Sequence, residues 1–105
     1  MNDETNNVTV SDNPAELRYE LRVDGALVGE IRYRRRDDQT VVLVHTDVDP
    51  SREGEGLGAV LVRGALEDIR ARGQRVVPFC PFVAAYIRHH PEYSELVTTS
   101  TETPD

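Results

Sequence analysis

Glycines at alternate positions, Gly54, Gly56 and Gly58, separate an apolar β-branched run (Val41 to Val44) from an amphipathic helical pattern. A strand, a glycine turn and a helix in that order expose bare backbone N–H groups at a helix N-terminus, where an anion can sit. The bland alternative is a tight turn with close helix–strand packing. The segment Glu53-Gly54-Glu55-Gly56-Leu57-Gly58 lacks the Gly-Lys-Ser/Thr of a Walker A loop, and it is not a full G-x-G-x-x-G dinucleotide fingerprint. Other reactive side chains lie nearby in sequence. Cys80 is the single cysteine, placed just before a proline-opened helix. A helix N-terminus makes a thiolate more available, so Cys80 is a nucleophile, an acid, or a small buried hydrophobe. Tyr86 follows on that helix and by type alone reads as a core aromatic with its hydroxyl satisfied. His45 lies on the strand before the turn and titrates near neutrality, suiting proton transfer or a structural bond. His89-His90 does not read as a metal site: adjacent helical residues share no face, and no other ligand cluster has the spacing.

The elements that must position these groups follow from periodicity. Leu17, Tyr19, Leu21 and Val23 alternate with Arg18, Glu20 and Arg22, the period of a half-buried strand. Asp24-Gly25 predicts a hairpin turn. Leu27 to Tyr33 returns, with Gly29 as a candidate bulge. Arg34-Arg35-Arg36-Asp37-Asp38 reads as a polar turn, a solvated hairpin tip rather than a phosphate patch. Val41 to Val48 is the next strand, buried on both sides at its start. In a helix over 57–72, Leu61, Val62, Ala65, Leu66 and Ile69 share one face, and Gly73 stops it. Arg75 to Cys80 is a short strand in which Pro78 marks an edge or a departure from its neighbour. Pro81 opens a second helix that ends near His90-Pro91. The order β-β-β-α-β-α describes a mixed α/β sheet with helices on it, its last strand parallel to the third. Residues 1–14 read as a loose arm, with a short strand possible near Val8 to Val10. Residues 15–97 form the domain, and the Thr-rich acidic tail 98–105 is expected to be disordered.

Composition bounds the rest. The 105 residues suit one domain, and 38% hydrophobic with 30% charged content suits a soluble globule. A net charge of −7 argues against nucleic acid, which draws a basic surface. No run approaches the roughly 20 apolar residues of a membrane span. One cysteine allows no internal disulfide. With an acidic, polar N-terminus unlike a signal peptide, the chain is expected in the cytoplasm.

The segment from Thr46 through Ala65 resembles the acetyl-coenzyme A site of the GNAT superfamily of N-acetyltransferases, whose motif is Gln/Arg-x-x-Gly-x-Gly/Ala. Gly56 and Gly58 fill its glycine positions, while Glu53 stands where Gln or Arg is usual. The run Val76 to Ile87, with His89 to Tyr93, is similar to a small single-domain (YjdJ-type) branch, and the likeness extends from Leu17 to Val97. It implies a minimal GNAT-like fold with a hairpin in place of N-terminal helices. It also implies two splayed strands that admit the pantetheine arm, paired like an added strand near Val44 to Val48. The implied cofactor-binding residues are Val48, Glu53, Gly54, Glu55, Gly56, Leu57 and Gly58. The implied activity is transfer of an acetyl group from acetyl-CoA to an amine acceptor, without a metal. Tyr86 matches the position of a tyrosine that protonates the departing thiolate, and Cys80 and His45 are the other catalytic candidates. The runner-up is a non-catalytic acyl-CoA binding module.

Overall fold

In the computed structural model, which describes residues 7–98, five strands form one sheet in the order β1-β2-β3-β4-β5. They are β1 (Val8–Asn13), β2 (Arg18–Val23), β3 (Ala26–Asp37), β4 (Thr40–Val48) and β5 (Arg75–Pro78). Helix α1 (Leu57–Ala71) crosses from β4 to β5, and α2 (Pro81–His89) follows β5. Short 3₁₀ turns lie at Pro50–Arg52 and Pro91–Leu96. The first four strands are antiparallel neighbours and β4 pairs β5 in parallel, as a helical crossover requires.

Local chemistry explains the turns. Asp24 and Gly25 both have positive φ, 51° and 87°, the conformation of a tight hairpin turn that matches strand twist. Gly73 ends α1 at φ 68°. Its N–H reaches Arg70 O at 3.0 Å, and that of Gln74 reaches Ile69 O at 3.0 Å, so the last helical carbonyls are satisfied. The apolar face of α1 packs on the sheet: Leu61, Val62, Ala65, Leu66 and Ile69 are fully buried, against Leu21, Ile31, Leu43 and Val76.

The structure corrects several boundaries. Residues 8–13 contain the short strand allowed near Val8 to Val10, extended to Asn13. They are an edge strand in register with β2, from Val8 opposite Val23 to Asn13 opposite Arg18. The reason is a close approach that the periodicity did not show: Gly64 on α1 leaves the space that Val10 fills, and a Cβ there would stand 2.6 Å from Val10 Cβ. Residues 1–6 and 99–105 lie outside the described residues, and so does nearly all of the expected tail. The polar turn expected at Arg34 to Asp38 is shorter, because β3 continues through Asp37. Arg35 lies over the Tyr33 ring at 5.3 Å. The bulge expected at Gly29 falls one residue earlier, at Val28, which is left without a partner between Leu27 and Gly29.

A second bulge sets the site. Arg32 pairs with His45, and Tyr33 with Leu43, so Val44 is the extra residue of β4. Val41 and Leu43 are buried in the core. Simple alternation would send His45 after them. The extra residue changes the phase, so His45 and Asp47 are exposed, whereas Thr46 and Val48 line a cleft beside α1.

Candidate active site

Strands β4 and β5 pair only from Thr40–Arg75 to Leu43–Pro78. A last bond runs from Cys80 N–H to Leu43 O at 2.9 Å. Beyond it β4 continues to Val48 while the chain turns away into α2. Pro78 has no N–H to lose at that departure. The β4 edge facing β5 is therefore open past Val44, as an extended ligand would need to add as a strand.

This opening leads into a cleft of about 550 Å³, lined by Thr46, Val48, Phe82 and most of the turn from Asp49 to Gly58, Ser51 and Glu55 excepted. Its floor is the N-terminus of α1. Gly56 is the residue before the helix, at φ 75°, and no side chain caps the first turn. The first N–H groups of a helix have no partner within it, so those of this turn are available to an anion. Gly54 also has positive φ, 91°. Gly58 serves differently: its φ is ordinary, and a Cβ there would stand 2.9 Å from the Phe82 ring. Phe82 packs this close to the helix start only because residue 58 is glycine.

Charge around the turn is mostly negative. Asp49 accepts bonds from Ser51 N–H (3.0 Å) and Ser51 Oγ (2.9 Å), which hold its carboxyl below the usual carboxylate range. Arg52 is occupied by Glu55 at 3.3 Å, and Glu53 is exposed. Backbone N–H groups and the helix dipole, rather than side-chain cations, are the turn's attraction for an anion.

The expected cofactor residues Val48, Glu53, Gly54, Gly56, Leu57 and Gly58 all line this cleft. Glu55 does not, being drawn to Arg52. The three catalytic candidates are not brought together. His45 is on the other face of the sheet edge, turned there by the Val44 bulge. Tyr86 lines a different cavity, of about 430 Å³, with Arg63, Glu67, Arg70, His90 and Tyr93. Its ring stacks on His90, one helical turn away, with centroids 3.9 Å apart. Burial raises its phenol above the ordinary value, but the hydroxyl is not on the cleft. Cys80 is 4% exposed and does not itself line the cleft; its Sγ lies 3.3 Å from Oγ1 of Thr46, which does. Sequence reasoning missed Thr46 and Phe82. The spacing of Gly58 with an aromatic after Pro81 could have suggested Phe82; nothing in the sequence marked the bulge that aims Thr46. Among the described residues, no group of His, Cys, Asp and Glu could hold a metal ion, and no helix is long and apolar enough to cross a membrane.

A splayed parallel strand pair opening over a glycine-built helix start defines an acyl-CoA N-acyltransferase type of fold. Comparison with known proteins agrees: a model of the GCN5-related N-acetyl-transferase family matches residues 18–96, and the chain belongs to that family. Solved structures share the fold. A GCN5-like candidate N-acetyltransferase from Staphylococcus aureus is similar at TM-score 0.64 and 20% identity, over 86% of this chain and 87% of that one. Ard1 from Thermoplasma volcanium is similar at TM-score 0.51 and 22% identity, over 75% and 55%. A GNAT-family candidate acetyltransferase from Desulfovibrio desulfuricans is similar at TM-score 0.51 and 21% identity, over 72% and 52%. The chain thus spans about half the length of the latter two. No curated protein sequence matches it.

Proposed function

We propose that the protein is an acetyl-CoA-dependent N-acetyltransferase acting on a primary amine. The observation that carries the reading is the continuity of the open β4 edge, at Thr46 and Val48, with the uncapped N-terminus of α1 in one cleft. A pantetheine arm would run along β4 and place its thioester near Val48. The pyrophosphate would meet the N–H groups from Gly54 to Gly58. Backbone N–H groups at the end of β4 would polarise the thioester carbonyl as a neutral amine attacks. Direct attack needs no covalent relay, since a thiolate is already a good leaving group. A cytoplasmic setting suits a chain with one reduced cysteine, and the acidic balance fits a small or protein-borne amine better than nucleic acid or membrane as partner.

A second reading is favoured by a specific observation: none of His45, Tyr86 and Cys80 lines the cleft. An acyl-CoA binding module without turnover would have the same cleft. One experiment separates the two. Titration calorimetry with coenzyme A is expected to show binding, and acetyl-CoA with a panel of amines is expected to yield acetylated product and free thiol. Binding without transfer to any amine would favour the binding module. Absence of both would remove the CoA assignment.

A further inference from the structure

We infer that Thr46 is the proton donor in the cleft and that Cys80 acts through it, as the buried end of a two-member relay. The inference deepens the acetyltransferase reading and rests on it. The Val44 bulge puts Thr46 among the residues that line the cleft. The Thr46 hydroxyl is 3.3 Å from Cys80 Sγ. Cys80 is almost fully buried and is not among the residues that line the cleft. Either atom can donate in that contact; with the thiol as donor, the Thr46 O–H is left free to donate elsewhere.

The step balances. When the tetrahedral adduct collapses, its C–S bond breaks and the pair stays on the coenzyme A sulfur. Thr46 Oγ1 gives its proton to that sulfur and takes the Cys80 Sγ proton in return. The products are coenzyme A thiol, an unchanged Thr46 hydroxyl and a Cys80 thiolate. Cys80 is the residue before α2, whose first turn has no side-chain cap, so the new thiolate sits where a helix start favours negative charge. The nitrogen sheds its proton to water, and water restores Cys80 by the same path after the thiol departs.

The test is a set of variants in the full chain: Thr46→Val, Thr46→Ser, Cys80→Ala, and the Thr46→Val/Cys80→Ala double. Thr46→Val keeps shape and suits a strand, and thermal melts confirm folding. Because a thiolate can leave unaided, the expected loss of kcat in Thr46→Val is about 10–10²-fold, at the low end for acid catalysis. Coenzyme A affinity is measured alongside, because Thr46 lines the cleft; the kcat loss should exceed any loss of affinity. Thr46→Ser should restore kcat. Cys80→Ala should lose as much as Thr46→Val, and the double no more than either. Wild-type kcat in Thr46→Val, losses that multiply in the double, or failure of Thr46→Ser to rescue would each overturn the relay while leaving the acetyltransferase reading standing. A wild-type protein that binds coenzyme A and transfers nothing would overturn that reading, and the relay with it.

Discussion

Gly56→Val is the sharpest probe of the helix start. Gly56 sits at φ 75°, a left-handed conformation in which a β-branched residue is a genuine outlier. No protein atom would touch an added Cβ, so the effect is conformational rather than a clash. Holding such a residue there costs about 1–3 kcal/mol, on the order of 5–15 °C in Tm for a domain this small. The turn can relieve that strain only by rotating the peptide that begins α1, which carries the Val60 N–H to Gly56 O bond of 3.3 Å. Rotation re-aims the N–H groups offered to a pyrophosphate. Each charge-assisted bond lost is worth about 1.5–3 kcal/mol, or roughly 10–10²-fold in Kd. Titration calorimetry should therefore show about a 10²-fold weaker coenzyme A complex. Pantetheine, which lacks the pyrophosphate, should bind within about twofold of wild type. Unchanged coenzyme A affinity in a folded variant would refute the anion cradle, and equal losses for both ligands would show that the whole cleft had collapsed instead.

Gly64→Ala tests a different contact. Helix propensity alone would favour alanine by about 1 kcal/mol, but its Cβ would meet Val10 Cβ at 2.6 Å and both Val10 γ-carbons at 2.8 Å. Overpacking of about 1–3 kcal/mol should win, so Tm is expected to fall; a higher Tm would place β1 away from α1. Glu53→Arg removes an acid from the turn and should tighten coenzyme A by about fivefold at low ionic strength, fading as salt rises. Equal affinity at low salt would show that residue 53 is remote from the ligand's charge. Above neutrality the tyrosines report packing. Burial, then the bonds to Asp12 and Glu67, push Tyr33 and Tyr93 each up to about 12. Their folded values lie above the unfolded ones, so this stability is complete below about pH 10 and is lost as pH rises toward 12. Phenolate absorbance should lag in the folded protein and appear with unfolding. Tyrosines titrating together near pH 10 in a folded protein would contradict the buried hydroxyl bonds. At the acid end, Glu20 is held at about 2, by its Asn13 bond first and then by Arg18. Its contribution is full above its unfolded value and declines as pH falls through 4.5 toward 2. An acid melt unaffected by Glu20→Gln would remove that pair from the account.

The sequence alone determined what depends on neighbours along the chain. The alternation from Tyr19 to Val23 and the Asp24-Gly25 turn mark a hairpin, because a strand's two faces and a positive-φ turn are written in consecutive residues. The apolar face of α1, its stop at Gly73 and the proline start of α2 are local for the same reason. The glycine turn, and the resemblance it carries, was legible because glycine favours the left-handed angles of Gly54 and Gly56 and leaves room at Gly58. Tertiary structure decided the rest. Edge strand β1 depends on one missing Cβ at Gly64, a contact between residues 54 positions apart whose meaning appears only when Val10 meets it. The catalytic candidates were chosen by chemistry and order, and three-dimensional placement separated them. One extra residue at Val44 reverses which side chains of β4 enter the cleft, since strand faces alternate with a period of two. It sends His45 out and Thr46 in. Tyr86 matches the proton-donor position that the resemblance implies, yet its helix carries it beside His90 and Tyr93, away from the cleft. A bulge is a choice of pairing between two strands, and neither strand's sequence by itself contains it.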